Sequence, residues 1–312
     1  MKGGLNWFGA LRRPLSVAVL ALLPLTAWAE RSVETAFGEV MVPVSPERVV
    51  TLYEGALDVA LAAGITPLGA VTTRGGDGMA RYIEAHLGEQ RPAIVGVVRE
   101  INLEAVLALQ PDLILAPPQL AEAQYRLLSR MAPTVVPLTV GLEPEAWRDE
   151  TRLFAQALGR EAEIDAALEQ VDARAAEIAE RLAADEAPNA VLVRWMPQGP
   201  MVMSDQLFTA GLLRASGVAI HDADLTNEGR PHSDPLSLEN LSRVDAEWLF
   251  LATLNEEGQE ALDAAQATPA FARLEVVARD QVVPVDGQLW TSATGPLAAQ
   301  AILDELDAAL TP

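Results

Sequence analysis

Short apolar runs alternate with amphipathic stretches of helical length along most of this chain. Residues 48–52 (Arg-Val-Val-Thr-Leu) predict a first strand, 58–63 a helix closed by Gly64, and 67–71, 94–98, 113–116 and 135–138 four more strands. Runs of four to eight apolar residues bounded by turn formers suit buried strands, and strands separated by helical segments predict a parallel α/β sheet. From Trp147 the period changes. Residues 147–158 read as a helix closed by Gly159. Residues 161–184 read as a second, with Ile164, Leu168, Val171, Ala175, Ile178 and Leu182 spaced by fours and threes along one face. At 1.5 Å per residue that helix is roughly 36 Å long, enough to span a domain. It predicts a rigid strut between two lobes, which disfavours large hinge closure. Strands resume at 190–193 and 201–203, followed by a helix at 207–216 ended by Gly217, a strand at 282–285 and a final amphipathic helix at Pro296–Leu310. The Asp-, Asn-, Gly- and Pro-rich loop 222–235 has no period and predicts irregular, exposed structure.

Residues 102–116 have a faint echo at 237–251, 135 positions on. Each copy reads as a polar N-cap (Asn102, Ser237), a glutamate in the first helical turn (Glu104, Glu239), a short amphipathic helix, a break and a run of apolar residues that fits a buried strand. That separation suits a duplicated α/β plan better than a solenoid, whose periods are roughly 20–50 residues.

With 312 residues, 50% of them apolar, two domains are expected. Residues 1–29 carry Lys2, Arg12 and Arg13, an apolar run over 15–25, and Ala27-Trp28-Ala29, a small-x-small site that predicts signal cleavage after Ala29. Ordinary secretion is favoured over the twin-arginine route because the Arg12-Arg13 pair is followed by Pro14 without a fuller motif. No cysteine is present, which excludes disulfides, thiolate metal sites and a lipid-anchored cysteine. Beyond the signal no apolar stretch approaches the roughly 20 residues needed to span a bilayer, so a soluble periplasmic protein is expected. The formal charge of −22 becomes −25 once the three basic residues of the signal are removed, a poor field for nucleic acid. Lys2 is the only lysine, so the mature chain's permanent cations are all arginines.

His86, His221 and His232 lack the helical spacing of a zinc site, and no nucleophile elbow, Walker loop or dinucleotide fingerprint occurs. Neither a resident metal nor a cofactor is expected, and a secreted hydrolase lacks any nucleophile–base arrangement. An adaptor that kept the fold and lost its ligand is a further alternative. In open α/β sheets ligands bind at the carboxyl ends of strands, so the residues that follow the predicted strands matter most. These are Tyr53, Arg74, Arg99, Arg194, Trp195 and Trp290, with Arg230 and His232 from the loop. A guanidinium fork matches carboxylates bidentately, and aromatic faces pack a flat chelate, so this set suits an anionic, oxygen-rich small molecule.

As a set, several segments resemble the periplasmic binding proteins that feed iron–siderophore, haem and cobalamin ABC importers. They are Pro46-Glu47-Arg48-Val49-Val50, Gly64-Ile65-Thr66-Pro67-Leu68-Gly69, Asn102-Leu103-Glu104 through Pro111-Asp112-Leu113-Ile114-Leu115, Ala157-Leu158-Gly159-Arg160-Glu161, Leu236 to Leu241, and Trp290 with Ile302-Leu303-Asp304-Glu305-Leu306. The stretch from Tyr82 to His86, leading to Gly96 and Leu103-Glu104, is most similar to the ferric citrate-binding branch. The resemblance implies an α/β fold of two Rossmann-like lobes with parallel-type sheets, joined by one long rigid backbone helix (class III). Its domains would be an N-terminal lobe at 30–146, connecting helices at 147–186 and a C-terminal lobe at 187–312. It further implies a monomer that binds a ferric siderophore, such as ferric citrate, between the lobes, and an ABC permease in the inner membrane onto which Glu104 and Glu239 dock. From the residues alone, both glutamates also suit a helix N-terminus, worth about 0.3–1 kcal/mol. Arginines favour an anionic chelate over neutral cobalamin, and haem would use Tyr53 as axial ligand.

Overall fold

The computed structural model describes residues 29–138, 142–182, 187–242, 244 and 246–310. The expected signal segment therefore lies outside the described residues except for Ala29. The chain opens with an antiparallel hairpin, β1 (Glu30–Thr35) and β2 (Gly38–Pro43), for which the apolar pattern gave no sign. Arg31 fastens it to the connecting helices, donating to the Gln156 carbonyl at 3.1 Å and to Glu161 at 3.2 Å.

The first lobe holds β3 (Val49–Thr51), β4 (Gly69–Ala70), β5 (Ala93–Ile94), the small hairpin β6 (Gly96–Val97) and β7 (Glu100–Ile101), then β8 (Leu113–Leu115) and β9 (Thr134–Val135). Its sheet runs β5-β4-β3-β8-β9 with every pair parallel. The chain thus builds outward from β3 and then reverses to β8, which makes the carboxyl ends of β3 and β8 a topological switch point. The strand expected over 94–98 is broken at Gly96. There φ is 134°, and a side chain would collide with the Glu100 carbonyl.

The second lobe holds β10 (Asn189–Met196), β11 (Gly199–Val202), β12 (Ala219–Ile220), β13 (Trp248–Thr253) and β14 (Val282–Asp286), in the order β11-β10-β13-β14 with β12 also on β10. All its pairings are parallel except β10 with β11. The echo is structural. Helix Leu103–Ala108 leads to β8 as helix Leu238–Leu241 leads to β13; Asn102 accepts from the N–H of Ala105 at 3.1 Å and Ser237 from that of Asn240 at 3.2 Å. Val106 and Leu241, three residues after each helix start, both enter the outer core of their lobe. Asp112, just before β8, accepts from the backbone N–H groups of Glu47 and Arg48 at 2.8 and 2.9 Å, so two of the family-like segments are one contact.

Helix Ala146–Leu158 ends at Gly159 in the left-handed conformation (φ 68°), and helix Glu161–Leu182 follows. Its 22 residues span about 33 Å. Ile164, Leu168, Val171, Ala175 and Ile178 form its buried stripe. That stripe belongs to a core shared by both lobes, which also takes in Leu57, Ile83, Phe154, Phe250, Trp290 and Ile302. Each lobe has a separate apolar cluster on its outer face. Arg174 on the long helix bonds Asp304 (3.0 Å) and Asp307 (2.8 Å) of the last helix. Among the described residues no helix is long and apolar enough to cross a membrane.

The first helix runs Glu54–Ala62, four residues earlier than the apolar pattern suggests, and β10 continues three residues beyond its expected end. The loop 222–235 has no regular element apart from a bridge between Met203 and His232.

Candidate functional site

The two lobes meet at the carboxyl ends of their strands, and the contacts there are polar and specific. Tyr53, directly after β3, shares a hydrogen bond with Thr294 of the second lobe (2.9 Å). Asp58 is fully buried and accepts from the N–H groups of Leu297 (2.9 Å) and Ala298 (2.8 Å), the opening turn of helix Pro296–Leu310. Arg81 reaches Asp286 at 3.3 Å. Gly295, at φ 121°, is required beside Asp58, because any side chain would run into its carboxylate.

On this seam the structure brings three of the expected arginines together. Arg74 follows β4, Arg99 sits in the β6–β7 turn at φ 74°, and Arg194 projects from β10. A left-handed backbone on a non-glycine residue costs about 1–2 kcal/mol, so Arg99 is held where it is against local preference. Arg194 is only 2% exposed, and its Nε has no hydrogen-bond partner. Burial, then the charge of Arg74, pushes its guanidinium down to about 10. Arg74 is lowered in turn by burial of part of its side chain, then by Arg99. Among the described residues no carboxylate pairs with any of the three. Arginines in folded proteins usually find a carboxylate or carbonyl. Here Arg74 and Arg99 are exposed and Arg194 is buried, and together they gather unpaired positive charge from both lobes.

The tryptophans fall elsewhere. Because β10 extends to Met196, Trp195 lies within the strand; period-two alternation puts it on the face of Val191 and Val193, edge-to-face on Phe271 at 6.0 Å and 3% exposed. It is a core residue of the second lobe, and the expectation that it lines the ligand wall is corrected. Trp290 also packs inside, stacked on Phe250 at 4.8 Å with its indole N–H donating to Glu305 at 2.6 Å, and reaches the seam only at its edge. Arg230 is exposed and pairs with Asp234 at 3.6 Å, while His232 is half-buried with Nδ1 against the Ser233 carbonyl. Glu104 and Glu239 are exposed at the second position of their matched helices.

Sequence reasoning missed the acids under the seam. Burial pushes Glu54 up to about 7, although hydroxyls of Thr73 and Tyr82 support its charge. Burial likewise raises Asp58 to about 8 against its two backbone donors, and Glu150 to about 8. The phenol of Tyr53 is raised well above its ordinary value by burial, then by Glu150. Glu54 and Asp58, four apart in an otherwise apolar helix, were the available signal; Glu150 had none.

This architecture matches known proteins. The family model described as periplasmic binding protein matches residues 49–289. The chain belongs to that family. Its members are substrate-binding proteins and not enzymes. The achromobactin-binding periplasmic protein of Dickeya dadantii is 27% identical over 97% of this chain and 96% of its own length. The Fe(3+) dicitrate-binding periplasmic protein FecB of Escherichia coli is 25% identical, covering 87% of each. The crystal structure of Staphylococcus aureus SirA complexed with staphyloferrin B superposes with a TM-score of 0.74 at 26% identity, over 90% of this chain and 98% of that one.

Proposed function

We propose that this protein is a periplasmic receptor that captures an anionic ferric chelate, of the citrate or carboxylate-siderophore class, between its lobes and delivers it to an ABC permease for iron uptake. One observation carries the reading: Arg74, Arg99 and Arg194 converge from both lobes without a carboxylate partner, and Arg194 is buried with its charge unmet. Carboxylates of the chelate complete the arginines, while the chelator holds the iron. The names of the relatives, which bind ferric dicitrate and achromobactin, point the same way. Tyr53 is a poor axial ligand for haem, because its phenol is tied to Thr294 and its ionisation is opposed by burial and Glu150. The expected signal segment supports a location outside the inner membrane, and the exposed, matched Glu104 and Glu239 would offer one acid per lobe to a two-fold permease.

Titration of the purified protein with ferric citrate, a ferric hydroxamate, haem and cobalamin, followed by tryptophan fluorescence, tests this. Saturable binding of ferric citrate or a citrate-based chelate, weakened roughly 10- to 100-fold in Arg194→Ala, is the expected result. Preference for the neutral hydroxamate or for cobalamin overturns it.

A further inference from the structure

The seam holds a cavity of about 150 Å³ whose lining contains no arginine. It opens at the switch point between β3 and β8, lined by Tyr53 and Glu150 from the first half of the chain and by Thr209, Ser292 and Thr294 from the second lobe, with Trp147 as an apolar wall. No arginine or histidine pairs with Glu150 among the described residues, and the Tyr53 phenol beside it supports its charge. The Oγ of Ser292 is buried with no partner at all. Thr209 already donates to the Trp290 carbonyl and Thr294 shares a hydrogen bond with Tyr53, which leaves Glu150 and Ser292 as groups open to a ligand.

We infer that this cavity is a subsite for a protonated amine, so that the chelate taken up carries a short aminoalkyl arm in addition to the carboxylates that meet the arginines. The inference rests on the ferric carboxylate reading above and sharpens its substrate class. The ammonium bonds Glu150 and the hydroxyls of Ser292 and Thr294, with the alkyl arm against Trp147. The titratable groups that face Glu150 are Tyr53 and, at the cavity wall, Glu143; the second lobe contributes no charge. Burial holds Glu150 up to about 8, hence mostly neutral at pH 7. An arriving ammonium favours the carboxylate, so the Glu150 proton leaves to solvent while the amine keeps its own.

Two ferric probes test this: the complex of a citrate monoamide bearing a free 2-aminoethyl arm, and the same complex N-acetylated. The wild-type protein should bind the amine at least tenfold more tightly, and Glu150→Gln should reduce that preference to threefold or less. Isothermal calorimetry of the wild type in two buffers of different ionisation enthalpy should show proton release near pH 7 with the amine and none with the acetamide, a readout independent of how well the variant folds. Equal binding of the two probes, or a preference that survives in a folded Glu150→Gln protein, overturns the amine subsite while leaving the carboxylate reading intact. Binding of neither probe, nor of ferric citrate, overturns both.

Discussion

Arg194 offers a test in which stability and function move in opposite directions. The residue is 2% exposed, lacks a partner at Nε and feels the charge of Arg74. Its depression to about 10 means that the fold disfavours the charged form. At about 1.4 kcal/mol per tenfold, the charge costs the fold about 3 kcal/mol. The sign follows from linkage: a cation with a lowered folded pKa regains stability only as pH rises through 10 and above, so at pH 7 the whole cost is present. Arg194→Met keeps the length and the apolar stem and removes the charge. Even if solvent reaching the tip cuts the gain to about 1–2 kcal/mol, the melting temperature should rise by roughly 2–8 °C. Ligand binding should fall, because a lost charge-assisted pair is worth about 1.5–3 kcal/mol, or roughly 10- to 100-fold in affinity. Thermal melting by circular dichroism and fluorescence titration with ferric citrate measure the two effects. A variant that melts lower and binds as before would mean that Arg194 is a structural residue with a partner, and the receptor argument fails.

Asp58→Ala should destabilise the protein by about 3 kcal/mol, since it strips two buried N–H groups at a helix start of their acceptor, and urea denaturation gives the value. Stability should also fall as pH rises from 5 to 8: Glu54, Asp58 and Glu150 have folded-state values of about 7, 8 and 8, so through this range the native state retains protons that the unfolded chain has released. A melting temperature that climbs with pH over that interval contradicts the burial of these acids. Glu104→Ala and Glu239→Ala should leave chelate affinity unchanged within twofold while lowering iron uptake in cells that depend on this receptor; loss of affinity in either would detach these acids from docking.

The backbone plan was legible where local chemistry decides it. Asn102 and Ser237 cap their helices, Gly159 and Gly217 take positive φ at helix ends, and the last helix begins and ends where its apolar stripe does. The seam was less legible because it depends on where strands stop. A strand ending at Val193 leaves Arg194 and Trp195 both free to face a ligand. One that continues to Met196 commits them to opposite faces, and neighbouring strands β11 and β13 set that length, not the segment itself. The β1–β2 hairpin escaped notice for a related reason. Arg31 holds it to the connecting helices through Gln156 and Glu161, which lie more than a hundred residues away. Asp58 and Glu150 likewise acquire meaning only from groups on distant segments.

The net charge makes the arginine cluster more informative than it would be in a basic protein. A chain with 44 acidic and 22 basic side chains repels an anionic chelate at long range, so steering does not help capture. Recognition must come from charges within about 8 Å, the screening length at physiological salt. That requires cations kept from the surplus acids around them, a condition that Arg74, Arg99 and Arg194 meet and that Arg230, paired with Asp234, does not. Because the lobes share one core and are tied at Asp58, Tyr53 and Arg81, they cannot swing apart cheaply to relieve the repulsion between Arg74 and Arg194. The repulsion therefore stays built into the fold, and on the proposed reading an anion bridging the two lobes would relieve it.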